Sequence, residues 1–228
     1  MNRGKVLLAE DDSNLAFVIK DSLVEEGFEV VHAADGEQAL VLFLKNDFDV
    51  CLLDVNMPVR DGFSLAKKIR EKSDVIPILF LTAKGLEEDK IKGFQTGADD
   101  YVTKPFSMQE LILRMDVFLR RSKRLHADVH EEYTIGNLKF AYSELKLYIN
   151  GETITLTQRE ADLMKFFAQH ANKILKREEV LLNVWGKDDY FLGRSMDVFI
   201  TKLRKHFKAD PAIILETIHG VGFRLNVN

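Results

Sequence analysis

The sequence predicts two domains. A doubly wound α/β unit on a five-stranded parallel sheet comes first, and a smaller α+β unit of three helices and short antiparallel strands follows. Three observations carry that reading. Short apolar runs alternate with segments of helical period in the first half. A polar stretch with almost no large apolar side chains, residues 122–131, reads as a linker between residues 1–121 and 132–228. Charge divides at the same place: residues 1–121 hold 16 Lys and Arg against 22 Asp and Glu, net −6, whereas residues 122–228 hold 16 against 14, net +2.

In chain order, Val6–Ala9, Val30–Ala33, Val50–Leu53, Ile78–Leu81 and Tyr101–Val102 are strand candidates, each parted from the next by a helical segment. Repeated βα units require parallel strands, because the crossover helix must return the chain to the same end of the sheet. Asp35 with Gln38 and Ser107 with Glu110 fit the capping box, in which a cap side chain and the third helical residue satisfy each other's backbone donors. The second half opens on strands Tyr133–Ile135, Leu138–Ala141 and Lys146–Ile149. Asn150-Gly151, a strong hairpin signal, leads into Thr153–Leu156. Thr157-x-x-Glu160 caps a helix, others follow around Arg177–Val184 and Ser195–Phe207, and apolar runs flank His219-Gly220-Val221-Gly222 as a terminal hairpin. Three helices and a hairpin outline a winged helix-turn-helix.

Composition removes several classes. A chain with 46% hydrophobic and 30% charged residues is not disordered as a whole. Its longest apolar stretch, Val75–Leu81, is broken by Pro77 and falls far short of the ~20 residues of a membrane span. The amino terminus reaches Glu10-Asp11-Asp12 without the apolar core of a secretion signal, and the single cysteine, Cys51, cannot form an internal disulfide. The expected compartment is the cytoplasm.

Ligands of open parallel sheets collect outside the carboxyl ends of the strands. Glu10, Asp11, Asp12, Asp54, Thr82 and Lys104 all fall at or just after such ends and should converge on one rim. Clustered carboxylates repel one another and call for a cation, and an all-oxygen site favours Mg²⁺. A lysine and a hydroxyl beside it suit phosphoryl oxygens. The chemistry suggested is phosphoryl transfer onto a carboxylate, with Asp54 as nucleophile.

Leu8-Ala9-Glu10-Asp11-Asp12, Leu53-Asp54-x-x-Met57-Pro58-x-x-Asp61-Gly62, Leu81-Thr82-Ala83 and Gly97-Ala98-Asp99-Asp100-Tyr101-x-x-Lys104-Pro105-Phe106 resemble the receiver domains of two-component response regulators across residues 4–121. The resemblance implies that Asp54 is the phosphoacceptor. Asp11, Asp54 and the Asn56 carbonyl would be direct Mg²⁺ ligands, with Glu10 acting through water. Thr82 and Lys104 would hold phosphoryl oxygens, and Tyr101 would be the switch aromatic that fills the space Thr82 leaves. It also implies a dimer face on the helix before the fifth strand, that strand and the helix after it, using Lys90 with Glu110 and Asp100 with Arg114. At a third bridge the usual acid and base are replaced by Gln95 and Asp116, so that bridge cannot form as usual.

In the second half, a wheel centred on Met196 gathers Ile200, Leu203 and Phe207 into an apolar stripe and sets Ser195, Val198, Thr201, Lys202 and Lys205 opposite. Arg194–Lys208 holds five Lys and Arg and one acid, Asp197, as a nucleic-acid-reading helix would. Leu156-Thr157-x-Arg159-Glu160, Val184-Trp185-Gly186, Arg194-Ser195-Met196-Asp197-Val198, Leu203-Arg204-Lys205 and Thr217-Ile218-x-Gly220-Val221-Gly222-Phe223-Arg224 resemble the winged-helix effector domain of the OmpR/PhoB subfamily. The resemblance implies a helix in the major groove of DNA, with Arg194, Ser195, Val198, Thr201 and Lys202 as contacts and Arg204 on backbone phosphate. The wing carries His219 where an arginine is usual, which weakens its pull on a narrow minor groove. Trp185 reads as an anchor for the loop before that helix, with RNA polymerase as a further partner of the domain.

The expected function is a non-enzymatic regulator. A sensor histidine kinase phosphorylates Asp54, the chain dimerises, and two winged helices occupy tandem half-sites on DNA. A phosphatase using an aspartyl nucleophile would want a second carboxylate two residues after it, where Asn56 stands. A regulator that works without phosphorylation, its receiver serving only for dimerisation, is the other alternative.

Overall fold

Five parallel strands, the central ones buried on both faces, form the frame of the first unit. The computed structural model describes residues 3–83, 98–124, 131–186 and 190–228. The first unit runs β1 (Lys5–Ala9), α1 (Ser13–Glu25), β2 (Glu29–Ala33), α2 (Gly36–Lys45), β3 (Val50–Asp54), α3 (Gly62–Arg70), β4 (Ile78–Ala83), β5 (Asp100–Lys104) and α4 (Met108–Arg124). The sheet order is β2-β1-β3-β4-β5, every pair parallel. Side chains alternate between its faces. Val6, Leu8, Val50, Leu52, Leu79 and Leu81 pack with Ala16, Ile19 and Leu23 of α1 and Leu111, Met115 and Phe118 of α4. The intervening Leu7, Cys51, Leu53 and Phe80 are equally buried, with Phe63 of α3 edge-on to Phe80 at 5.1 Å. Burial on both faces explains why these strands read as continuous apolar runs.

Helix starts are fixed by carboxylates. Asp12 accepts from the N–H groups of Asn14 (2.9 Å) and Leu15 (3.1 Å), and Asp61 accepts from Ser64 (2.7 Å). Asp35 accepts from Glu37 and Gln38, but the Gln38 amide donates to the Asp35 carboxylate (2.6 Å) rather than turning back to its backbone, so the predicted box closes side chain to side chain. The Glu110 N–H donates to Ser107 Oγ at 3.1 Å. Helix α4 continues to Arg124, three residues into the stretch read as linker. Ser122-Lys123-Arg124 contains no Gly or Pro to stop it.

The second unit runs β6 (Glu132–Ile135), β7 (Leu138–Ala141), β8 (Lys146–Ile149), β9 (Glu152–Thr155), α5 (Gln158–Gln169), β10 (Ile174–Lys176), α6 (Arg177–Trp185), α7 (Tyr190–Phe207), β11 (Ile213–Ile218) and β12 (Gly222–Val227). Strands β6 to β9 form a meander in sequence order, and β12 pairs with β10 and β11. The Thr157 capping box is complete: Glu160 N–H donates to Thr157 Oγ1 (3.3 Å) and Thr157 N–H to Glu160 Oε2 (2.9 Å). Asp210 ties the meander to the end of α7, accepting from Asn137 N–H (2.8 Å) and Ala212 N–H (3.0 Å). Chain contacts divide into Met1–His126 and Ala127–Asn228.

Val59, in the β3–α3 loop, has φ of 66° and is 84% exposed. A β-branched residue pays a steric cost in this left-handed region, which Asn tolerates better. Because Val59 contributes little packing, Val59→Asn is expected to raise stability by about 1 kcal/mol, read as a higher unfolding midpoint in denaturant.

Candidate acidic site and nucleic-acid interface

Parallel strands deliver their carboxyl ends to one edge, and that edge gathers the predicted set. Glu10 follows β1, Asp54 ends β3, Thr82 lies in β4 and Lys104 ends β5. Glu10 and Thr82 are fully buried and Asp54 is nearly so, whereas Asp11 and Asn56 are exposed. The Lys104 ammonium reaches Glu10 Oε1 (2.9 Å), Glu10 Oε2 (2.8 Å) and Asp54 Oδ2 (2.7 Å). The Asn56 N–H donates to the other Asp54 oxygen at 3.2 Å. One carboxylate oxygen from each of Glu10, Asp11 and Asp54 lies within 4.8 Å of the others, an all-oxygen donor set that fits a hard divalent cation. Asp12, by contrast, is the α1 cap and is not part of this set.

Electrostatics follow from burial. Desolvation pushes the Glu10 carboxyl up to about 7 against the pull of Lys104. For Lys104, burial works against the ammonium, but the hydrogen bonds it donates to Asp54 and Glu10 prevail and hold it above its ordinary value.

The loop after Asp54 is held by features the sequence reading did not single out. A Cβ on Gly62 would stand 2.1 Å from the Asp54 carbonyl oxygen, and one on Gly36 would stand 2.3 Å from that of Arg60. The Arg60 guanidinium closes on Glu37 Oε2 through two nitrogens, at 2.9 and 2.7 Å. Only glycine admits such approaches, and the Asp-Gly step after Met-Pro was the visible signal.

Tyr101 is buried with its ring 5.2 Å from Phe80. On α4, Arg114 binds Asp100 (2.8 Å) and Glu110 (2.9 Å) within the chain. Asp116 pairs with Arg3 (2.7 Å), which also pairs with Glu26 and covers the Phe28 ring at 4.7 Å. Arg3 carried no motif in the sequence. Lys90 and Gln95 lie outside the described residues.

In the second unit, Met196, Phe199, Ile200, Leu203 and Phe207 of α7 form the buried stripe. Ser195 is fully buried, which corrects its expected place among the DNA contacts. The buried arc is wider than the wheel suggested: Ser195 adjoins the Phe199 side of the helix, where Trp185 packs at 6.0 Å. Trp185 itself is buried beneath the Arg159 guanidinium at 5.0 Å, an anchor. Val198 is half-buried, and Thr201 and His219 are exposed. Lys202 pairs with Glu160 (3.2 Å), and Arg204 donates to Leu215 O and Thr217 Oγ1, both at 2.8 Å. The Arg194 side chain lies outside the described residues. Arg177, read in the sequence only as the start of a helix, binds Asp197 (2.8 and 3.1 Å) and the Gly193 carbonyl (3.0 Å), joining α6 to α7. Among the described residues no helix is long and apolar enough to cross a membrane.

The raised Glu10 carboxyl has a signed consequence. Its stabilising contribution is complete below the ordinary value of 4.5 and is lost as pH rises through about 7. In metal-free protein, Glu10→Gln is therefore expected to gain stability relative to wild type at pH 8 and not at pH 4, measured by denaturant unfolding at both.

Residues 6–116 match the response regulator receiver domain family, and residues 151–225 match the family described as transcriptional regulatory protein, C terminal. The chain is 45% identical over 221 residues to the transcriptional regulatory protein RprY of Bacteroides fragilis, covering 97% of this chain and 94% of that one. It is 36% identical over 223 residues to the transcriptional regulatory protein TrcR of Mycobacterium tuberculosis, covering 97% and 86%. Among solved structures, a C128D mutant of RitR aligns with TM-score 0.72 at 26% identity, over 98% of this chain and 99% of that one. The receiver domain of the Francisella response regulator 1452 aligns with TM-score 0.50 at 42% identity, over 52% and 98%. With a buried acidic rim on one unit and a winged helix on the other, the chain belongs to the response regulators that join a receiver domain to a DNA-binding transcriptional regulatory domain.

Proposed function

We propose that Asp54 accepts a phosphoryl group from a sensor histidine kinase and that this modification promotes dimerisation and DNA binding. The observation that carries the reading is the Lys104 ammonium on both Glu10 and Asp54, with Asp11 within reach of both carboxylates. In the reaction an Asp54 oxygen attacks phosphorus as the phosphorus–nitrogen bond of a phosphohistidine breaks, leaving an acyl phosphate. Glu10, Asp11, Asp54 and the Asn56 carbonyl would hold Mg²⁺, which supplies charge neutralisation for the in-line transfer. Lys104 turns from the Asp54 carboxylate to an oxygen of the new phosphoryl group, and the Thr82 hydroxyl donates to another. Moving Thr82 opens space for the Tyr101 ring, which leaves its place beside Phe80.

Residues 1–121 would be the regulatory domain, 122–131 the connector and 132–228 the effector. Dimerisation uses Lys90, Asp100, Glu110 and Arg114, with Arg114 exchanging its intrachain partners for those of a second copy. Val198, Thr201 and His219 face DNA, two effector domains occupy tandem half-sites, and RNA polymerase is the partner of the bound dimer. The chain acts in the cytoplasm.

Intact mass and oligomeric state in Mg²⁺, with and without a small acyl phosphate donor, test the proposal. Wild type is expected to gain one phosphoryl group and shift toward dimer, and Asp54→Ala to do neither. A wild type that stays unmodified yet binds DNA as tightly as Asp54→Ala would favour control without phosphorylation.

A further inference from the structure

Resting on the DNA-binding reading above, we propose that, among the described side chains of α7, the cation that faces DNA is Lys205, and that Lys202 and Arg204 are positioning residues held inside the domain. Lys202 is the residue the helical pattern offered to the groove, but its ammonium lies on Glu160 and 5.0 Å from the centre of the Phe199 ring. The Glu160 side chain is only 9% exposed and also closes the α5 capping box. Withdrawing Lys202 to a phosphate would leave a buried carboxylate without its cation, a costly exchange. Arg204 commits Nε and a terminal nitrogen to β11, fixing α7 against the hairpin whose tip carries His219.

Lys205 differs on each count. It is exposed and forms no ion pair among the described residues. At about 100° per residue it stands roughly 180° from Met196, the centre of the buried stripe. Exposed Thr201 and half-buried Val198 flank it, and exposed Lys208 continues the same ridge. The only acid on α7, Asp197, is neutralised by Arg177, so the ridge meets phosphate without a competing charge. Three cation contacts, of Lys202 with α5, of Arg177 from α6 and of Arg204 with β11, thus hold the helix, and the outward ridge is left for DNA.

The test uses the full chain and the duplex that wild type recovers from a random-sequence pool, with affinity measured against salt concentration. Each phosphate contact contributes about 0.9 to the slope of log affinity against log salt. Lys205→Gln is expected to lower that slope by about 0.9 for each bound copy of the chain and weaken binding at every salt concentration. Lys202→Gln and Arg204→Gln are expected to keep the wild-type slope while lowering the unfolding midpoint. The paired Glu160→Gln, Lys202→Met variant leaves no buried charge unpaired, so it stays folded and should also keep the slope. A slope lost in Lys202→Gln and in the paired variant, or kept in Lys205→Gln, would overturn the assignment. Failure of wild type to recover any duplex would overturn the DNA-binding reading itself.

Discussion

Two buried carboxylates on one sheet rim repel each other unless a cation or a proton stands between them. Here that cation is the Lys104 ammonium, bridging Glu10 and Asp54 from the end of β5. The requirement reaches back into the fold: only a parallel sheet sends the ends of β1, β3, β4 and β5 to one edge, and only helices on both faces bury the strands well enough to dry that edge. Gly62 and Gly36 then allow the loop after Asp54 to pass against backbone carbonyls, with Arg60 and Glu37 closing it from outside. The site is poised because its charges balance only approximately. A carboxyl held near 7 beside a lysine is a place where added positive charge, or a tetrahedral anion, changes which pairs form.

The effector unit solves the converse problem. A basic helix packed on a small core must keep some cations from repelling one another, and the domain does so by setting carboxylates against cations, one of them buried and one half-exposed. Glu160 serves as both helix cap and counter-ion, and Asp197 takes Arg177. Thr157, Gln158, Glu160 and Asp162 at the start of α5 are buried, with the capping box satisfying Thr157 and Glu160 and Asp162 accepting from Gln158 and Tyr142.

Much of this was legible in the sequence because it rests on period and position. Each strand of the parallel sheet was marked by apolar runs that both-face burial requires, and the rim residues were placed by strand ends alone. The Thr157 box was readable because its two partners lie three residues apart. Strand β10 was not, since Ile174–Lys176 is too short to show alternation and is defined by its pairing with β12. Ser195 was misplaced because a wheel assigns faces symmetrically, whereas the core around α7 extends further on the side where Trp185 packs. Arg3, Arg177 and the inward commitment of Lys202 depend on partners distant in the chain, and nothing local announces which of several lysines will find a buried acid.

The one sulfhydryl of the chain stands in the middle of β3, three residues from Asp54 and entirely enclosed, and burial pushes its thiol up to about 12. At neutral pH almost none of it is thiolate, the form that reacts. For chemistry applied from outside, the native chain therefore behaves as though it had no cysteine. Two thiols placed on the surface, one on each unit, would be the only ones to accept spin labels or fluorophores, so distances between the units could be followed in solution without first removing a residue from the core.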